Sequence, residues 1–344
     1  MLRPLKLKVQ RVAPSAGPAA HDLPVASVWV DSAIPMLSEA FSYLIPEKLS
    51  TFVQVGSRVQ VPFKDKHLEG LVIARTALGS DSRELKSIYK LLGDFPVASL
   101  QTIELIEQTA QFWGGTPYDV IRSAIPPRVA NVEKNLAQVE TRPKVTGKGA
   151  ITFNLLPPKT EPISALINLI QANQSSGSKL IVVPTARELA WLANELTKMK
   201  IPFHSLDSNL PRAERYRNYL EVSFGGVNIV IGMRTAIFAP IPNLTDIYLH
   251  EENSEHYYER RAPYWNAREV LTLRAKLESL NLHLTGYMPS LDVAISIDKK
   301  VITYRATREK ISVLAQTGNS GELIPSKIYQ LIRKSLPLGP ILFL

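Results

Sequence analysis

Residues 250–253 read His-Glu-Glu-Asn and close a short apolar run, Thr245-Asp246-Ile247-Tyr248-Leu249. An imidazole beside carboxylates at a strand end has donor types suited to a transition-metal ion. With His256 nearby, His250, Glu251 and His256 would be the ligand set. Their spacing departs from the His-Glu-x-x-His of zinc peptidases, and no metal is expected from it.

A second place where chemistry could sit is the turn after Ile151-Thr152-Phe153-Asn154-Leu155-Leu156. Nucleotide phosphates are held by a glycine-rich loop whose backbone N–H groups wrap them, with a lysine on the outer phosphates. Here the turn reads Pro157-Pro158-Lys159-Thr160-Glu161-Pro162, and no glycine occurs between Gly149 and Gly177. Proline has no N–H to donate, so such a loop cannot build a phosphate nest. Lys159 and Thr160 are either remnants of a nucleotide loop or ordinary loop residues. Gly147-Lys148-Gly149 lies on the wrong side of the strand.

A third place is aromatic. Phe41 and Tyr43 share one face of an extended run by period two. Rings so placed either stack on a nucleic-acid base or fill a small core. Tyr257, Tyr258, Arg260 and Arg261 mix aromatic and basic character in a way that suits single-strand contacts or a protein interface.

Composition frames these residues. The chain has 344 residues, 45% hydrophobic and 21% charged, the profile of an ordinary globular protein of two or three domains. Its net charge of +9 favours polyanionic partners. Part of that charge lies in a Pro- and Ala-rich start, where Arg3, Lys6, Lys8 and Arg11 face Asp22 alone. The absence of cysteine excludes disulfides and thiolate metal sites. No signal-peptide core or run of membrane-helix length is present, so a cytoplasmic protein with no membrane partner is expected.

The elements that must position the candidate residues follow from periodicity. Val25–Val30, Phe41–Pro46, Arg58–Phe63 and Gly70–Ala74 are expected as closely spaced strands of a small β-rich domain. Residues 99–113 have helical spacing, and a second apolar segment at Val120-Ile121 leads to Ala124-Ile125-Pro126-Pro127-Arg128. Together they are compatible with a winged-helix-like unit in which Arg122 and Arg128 reach phosphates. From residue 151, strand and helix patterns alternate: strands at 151–156, 179–183, 227–231 and 246–249, helices at 163–170 and 186–199. That alternation predicts a doubly wound parallel sheet with its crevice at the carboxyl ends of the strands. The expected order is a disordered basic arm (1–24), a β-rich domain (25–95), the helical unit (96–130), a linker (131–150), the α/β lobe (151–320) and a short terminal segment (321–344).

Several stretches, in order, resemble the replication-restart PriA (primosomal protein N′) family. They are Phe41-Ser42-Tyr43-Leu44-Ile45-Pro46; Val55-Gly56-Ser57-Arg58-Val59-Gln60-Val61-Pro62-Phe63; Glu84-Leu85-Lys86-Ser87-Ile88; and Val230-Ile231-Gly232-Met233-Arg234-Thr235-Ala236. The box His250-Glu251-Glu252-Asn253 follows, then Arg261-Ala262-Pro263-Tyr264 and Leu284-Thr285-Gly286-Tyr287-Met288-Pro289-Ser290-Leu291. The resemblance implies an α/β protein: a domain binding the 3′ end of a nascent DNA strand, a winged-helix-like unit, and a RecA-like lobe with degenerate helicase motifs. The form is degenerate and actinobacterial-like.

By that resemblance, Phe41, Ser42, Tyr43, Lys64 and Lys86 line the DNA-end pocket and Arg234 lies beside the DNA path. Ser42 replaces an aspartate, and Lys64 replaces a glycine. The family's ATP and Mg²⁺ site lacks its phosphate loop and has His250 in place of the metal-holding aspartate, leaving Glu251 as a catalytic remnant without a partner. No cofactor is therefore expected. The family's second lobe and zinc module are missing, with Gly339–Leu344 resembling the opening strand of that lobe. The function implied is binding of forked or single-stranded DNA and reloading of the replication machinery, with primosome and single-strand-binding proteins as partners and without helicase activity. The alternatives are an ATP-dependent helicase with an atypical loop and a non-catalytic scaffold.

Overall fold

A computed structural model describes residues 17–32, 38–79, 85–134, 149–173, 175–306 and 323–341. The chain divides into two units, Met1–Thr307 and Arg308–Leu344.

The first unit opens with β1 (Val25–Val30), β2 (Phe41–Leu44), β3 (Arg58–Phe63), β4 (Lys66–Thr76) and β5 (Lys90–Leu91). They form an antiparallel sheet in the order β2-β1-β4-β3-β5. The segment around β5 joins its two sides. Leu44 N–H donates to Lys86 O and Ile88 N–H to Leu44 O, both at 2.9 Å, while Tyr89 N–H donates to Gln60 O at 2.9 Å. One short stretch thus binds β2 and then β3 and closes the sheet into a small barrel, which leaves fewer free edges. Val28, Tyr43, Ile45, Val59, Val61 and Val72 fill its interior.

Residues 17–24 correct the expectation of a disordered arm through residue 24. Ala20 is buried and its N–H donates to Ile45 O at 2.8 Å. Arg75 holds the carbonyls of Asp22 and Leu23 at 2.9 and 3.3 Å, and those of Ser50 and Val53 at 2.8 Å. The basic residues Arg3, Lys6, Lys8 and Arg11 lie outside the described residues.

Next come α1 (Leu100–Phe112), α2 (Pro117–Ala124) and the single turn α3 (Ala130–Glu133). Ser99 caps α1; Thr116 and Asp119 form a reciprocal capping box at α2, with Pro117 at its first position. No strand forms a wing among the described residues of 96–134, so the winged-helix expectation is corrected to a helical hairpin. It packs against β1, the 3-10 turn Arg234–Phe238 and the lobe. The start of the expected linker is also held, because Glu133 pairs with Arg128 and accepts from the Tyr216 hydroxyl at 2.7 Å.

The lobe contains β6 (Ile151–Leu155), α4 (Pro162–Ala172), β7 (Ser178–Val182), α5 (Ala186–Lys198), β8 (His204–Leu206), α6 (Arg212–Ser223), β9 (Ile229–Gly232), β10 (Leu244–Leu249), α7 (Ala267–Glu278), β11 (Asn281–Gly286), α8 (Leu291–Asp298) and β12 (Thr303–Arg305). All seven strands are parallel, in the order β12-β6-β11-β10-β7-β9-β8. The central strands are buried on both faces, which explains why β7 and β10 read as near-continuous apolar runs. Barrel, hairpin and lobe share contacts: Arg58 donates to Pro126 O at 3.0 Å, and Tyr219 donates to Val97 O at 2.8 Å. Gly56, at φ +86°, permits the tight approach of residues 96–98; a Cβ there would lie 1.9 Å from Ala98 O.

The second unit holds α9 (Ser326–Ser335) and a 3-10 turn, Leu336–Leu338. Of the expected terminal strand, residues 339–341 lie in no strand and 342–344 lie outside the described residues. Among the described residues, no helix is long and apolar enough to cross a membrane.

Candidate nucleic-acid interface and a rebuilt strand-end crevice

The barrel separates the aromatic candidates. Tyr43 points inward, 4% exposed, with its hydroxyl donating to Pro62 O at 3.3 Å. Burial pushes that hydroxyl up to about 12. The expectation that Tyr43 offers its ring to a base is therefore corrected: the ring belongs to the core, with Ala26 opposite it on β1 and Ile45 two residues on in the same cluster. Phe41, at the end of the same face, is half-buried and meets Phe63 edge-on at 5.3 Å. Ser42, on the opposite face, is exposed and pairs across the strands with Ser27. Phe41 and Ser42 thus stand where the barrel interior meets solvent.

Exposed lysines lie on the barrel's strands and turns. Lys86 is exposed, and its carbonyl is bound by Leu44 beside Tyr43. Lys64 occupies the tip of the β3–β4 hairpin with φ +51°, a conformation that favours glycine. Lys66 and Lys90, which sequence reasoning did not select, are also exposed on the flanking strands. So is a stacked ring pair: His67 and Tyr89 lie 3.9 Å apart at 20°, with Tyr89 half exposed. The signal available in the sequence was the interleaving of Lys86, Tyr89 and Lys90. Such a surface supplies phosphate contacts and a stacking face without reading base identity.

Arg234 is placed otherwise. One guanidinium nitrogen donates to His256 O and Tyr258 O at 3.3 and 2.7 Å, and the other pairs with Glu259 at 3.3 Å. It braces the loop after β10. It also lines a cavity of about 210 Å³ with Arg122, Arg215 and Arg261. Arg128, for its part, is paired with Glu133.

The carboxyl ends of the strands form the expected crevice, and its contents are distinctive. Where a phosphate would meet the N-terminus of α4, Glu161 does so instead. Its carboxylate accepts from the N–H groups of Ile163 and Ser164 at 2.9 and 2.7 Å. The helix end therefore carries its own anion, and Pro162 contributes no N–H. Lys159 is exposed, and Thr160 only closes a turn through its N–H to Pro157 O at 3.3 Å.

At the end of β10, His250 is fully buried. Its N–H donates to Val182 O at 2.9 Å, and its Nδ1 lies 3.1 Å from Thr285 Oγ1. Nε2 is buried and has no protein partner. Burial lowers the pKa of this imidazole, a shift opposed by Glu188 and Glu161, so the neutral ring is favoured. Burial, then Glu188, raises the pKa of Glu251. Glu252 turns the other way. It accepts from Ser290 N–H at 2.6 Å and pairs with Arg268 at 2.9 Å, tying the box to Ser290 and to α7. His256, expected beside His250, is instead an exposed residue whose carbonyl serves Arg234. Glu188 takes its place: a ring nitrogen of His250 and one carboxylate oxygen each of Glu188 and Glu251 lie within 4.8 Å of one another. Glu188 is distant in sequence, but its capping box with Thr185 marked the start of α5, and the parallel β7–β10 pair brings that start to His250.

These features define a basic-rimmed β-barrel and helical hairpin built onto a parallel-sheet lobe, and residues 27–126 match the family model described as the PriA 3′ DNA-binding domain. Relatives agree along more of the chain. The probable replication restart protein PriA of Mycobacterium tuberculosis is 28% identical over 280 residues, covering 74% of this chain and 43% of the relative. The replication restart protein PriA of Chlamydia trachomatis is 30% identical over 178 residues, 50% of this chain and 22% of the relative. The matched domain and these relatives, which extend over up to 74% of the chain, support a protein of the PriA family. It spans less than half the length of the mycobacterial relatives it matches. Among solved structures, the C-terminal domain of Saccharomyces cerevisiae Dbp5 overlaps 46% of this chain and 91% of its own, with 16% identity and a TM-score of 0.36.

Proposed function

We propose that this protein binds primed or forked DNA through the basic end of its N-terminal barrel, seats the 3′ end of the nascent strand there, and helps reload the replication machinery without nucleotide-driven unwinding. The match of residues 27–126 to a 3′ DNA-binding domain carries the reading. Exposed Ser42, Lys64 and Lys86 and half-buried Phe41, all on the barrel, support it chemically. Affinity then comes from phosphates and end-stacking and falls steeply with salt.

Independence from nucleotide is supported by the crevice. A family-type site would take ATP with Mg²⁺. The residues present do not suit that pair: Glu161 holds the amides a phosphate would use, and His250 offers imidazole where a hard cation prefers oxygen. Primosome factors and single-strand-binding proteins are the proposed partners.

The test is fluorescence anisotropy with a labelled primed fork at two salt concentrations, with and without ATP and Mg²⁺, alongside a strand-separation assay. The expected result is salt-weakened binding unaffected by nucleotide. ATP-dependent strand separation would refute the nucleotide-independent part, and absence of fork binding at low salt would refute the whole.

A further inference from the structure

We propose that Glu188, His250 and Glu251 form a binding site for a divalent transition-metal ion of the zinc type, held by the protein alone and without nucleotide. The donors come from two fixed places. Glu188 stands in the first turn of α5, and His250 and Glu251 directly follow β10. The parallel pairing of β7 with β10, with Val182 opposite Leu249, sets both places at one level of the sheet. One donor atom from each residue lies within 4.8 Å of the other two. Zinc bonds of about 2.0–2.2 Å place ligand atoms roughly 3–4 Å apart, so modest carboxylate rotations close the set.

The histidine is the decisive ligand. Its Nδ1 is engaged by Thr285 Oγ1, while Nε2 is buried and has no partner in the protein. A hydrogen-bonded Nδ1 fixes the ring and leaves the Nε2 lone pair for a metal, the usual arrangement around a metal-bound imidazole. Glu188 is oriented in the same manner: its Oε2 accepts from Thr185 N–H and Oγ1 at 3.0 and 2.7 Å, leaving Oε1 available. Glu251 adopts φ +48°, a backbone conformation uncommon for glutamate that turns the chain at this point. One imidazole and two carboxylates suit zinc, manganese or cobalt and disfavour magnesium, which prefers an all-oxygen octahedron. Three protein ligands leave a position for water. The inference is independent of the DNA reading, since no barrel residue takes part.

The test titrates Zn²⁺, Co²⁺ and Mg²⁺ separately into the tag-free, metal-stripped full chain, by calorimetry for all three and by visible absorption for Co²⁺. Glu251→Gln, His250→Asn and, as a control, His256→Ala are measured in parallel, each with a metal-free thermal melt. The expected result is one Zn²⁺ per chain, a low-coordinate Co²⁺ band, and Mg²⁺ at least tenfold weaker. Glu251→Gln is expected to weaken Zn²⁺ at least tenfold with an unchanged metal-free melt, and His256→Ala to bind as the parent does. Zn²⁺ no tighter than Mg²⁺ would overturn the proposal. So would parent-like binding by folded Glu251→Gln and His250→Asn, which would assign the ion to surface histidines.

Discussion

Glu161 accepts the backbone N–H of Ser164 at 2.7 Å and its hydroxyl at 2.9 Å. An acidic side chain thereby occupies the positive end of α4, the place where a nucleotide-binding lobe receives phosphate. Glu161→Ala should destabilise the lobe by about 1 kcal/mol through loss of the cap. It should not confer affinity for a fluorescent ATP analogue, because Pro157, Pro158 and Pro162 still lack N–H groups. Urea unfolding and nucleotide titration of the variant check both outcomes.

Arg268 and Glu252 form a pair in which both side chains are almost wholly inaccessible. Arg268 also bonds Glu269 and Asp292, at 2.7 and 3.0 Å. Removing one member of a buried pair strands the other charge, so Arg268→Ala should cost about 3–5 kcal/mol. Chemical denaturation should show the loss. Arg268→Ala combined with Glu252→Gln should be less destabilising than the sum of the single changes.

Asp246 sets a pH dependence. It is fully buried, which alone would raise its pKa, but hydrogen bonds from His283, Thr245 and Asn281, among others, hold it well below the ordinary carboxylate range. A folded pKa below the unfolded one gives stability that is present above about pH 4 and lost as pH falls below it. Asp246→Asn should be less stable than the parent at neutral pH. The gap should narrow on acidification from pH 5 to pH 3, as followed by thermal melts across that range.

Lys64 couples backbone strain to binding. At φ +51° a glycine would be more comfortable, and Lys64→Gly should leave the melting temperature level or slightly higher. The same change, or Lys86→Ala, should weaken fork binding and reduce the slope of log affinity against log salt by about 1. Loss of affinity without a change in slope would remove that lysine from the phosphate contacts.

Tyr43 and Phe41 should separate core from interface. Tyr43→Phe removes one buried hydrogen bond, a loss of about 1 kcal/mol, and should leave DNA affinity unchanged. Phe41→Ala should weaken binding to a fork carrying a 3′ end more than binding to duplex. Paired anisotropy measurements on the two DNAs decide this.

The fold was legible where one periodicity held. β1 and β3 follow the expected bounds, and the alternating pattern after residue 151 is the parallel sheet. What escaped was set by contacts between distant segments. α6 has polar and aromatic residues whose buried face exists only because Tyr216 and Tyr219 pack beneath Glu133 and Val97. β11 carries His283 and Thr285, whose polar side chains are satisfied by Asp246 and His250 across the sheet. Residues 17–24 read as tail because the carbonyls that fix them need Arg75, more than fifty residues away. At the candidate sites, Ser42, Lys64 and Lys86 are exposed on the barrel and Phe41 is half-buried against Phe63. Tyr43 turns into the core and Arg234 braces the loop after β10, since side-chain direction and a bracing partner cannot be read from residue type. Glu188 joined His250 only through strand pairing.

The most direct measurement compares two forks identical except at the nascent strand: one carries its 3′ end at the junction, the other lacks that strand's end there. Anisotropy titrations of both, across a range of salt, are expected to show severalfold tighter binding to the fork with the 3′ end, with the difference persisting as total affinity falls. Equal affinity for the two forks at every salt concentration would contradict seating of the 3′ end in the barrel.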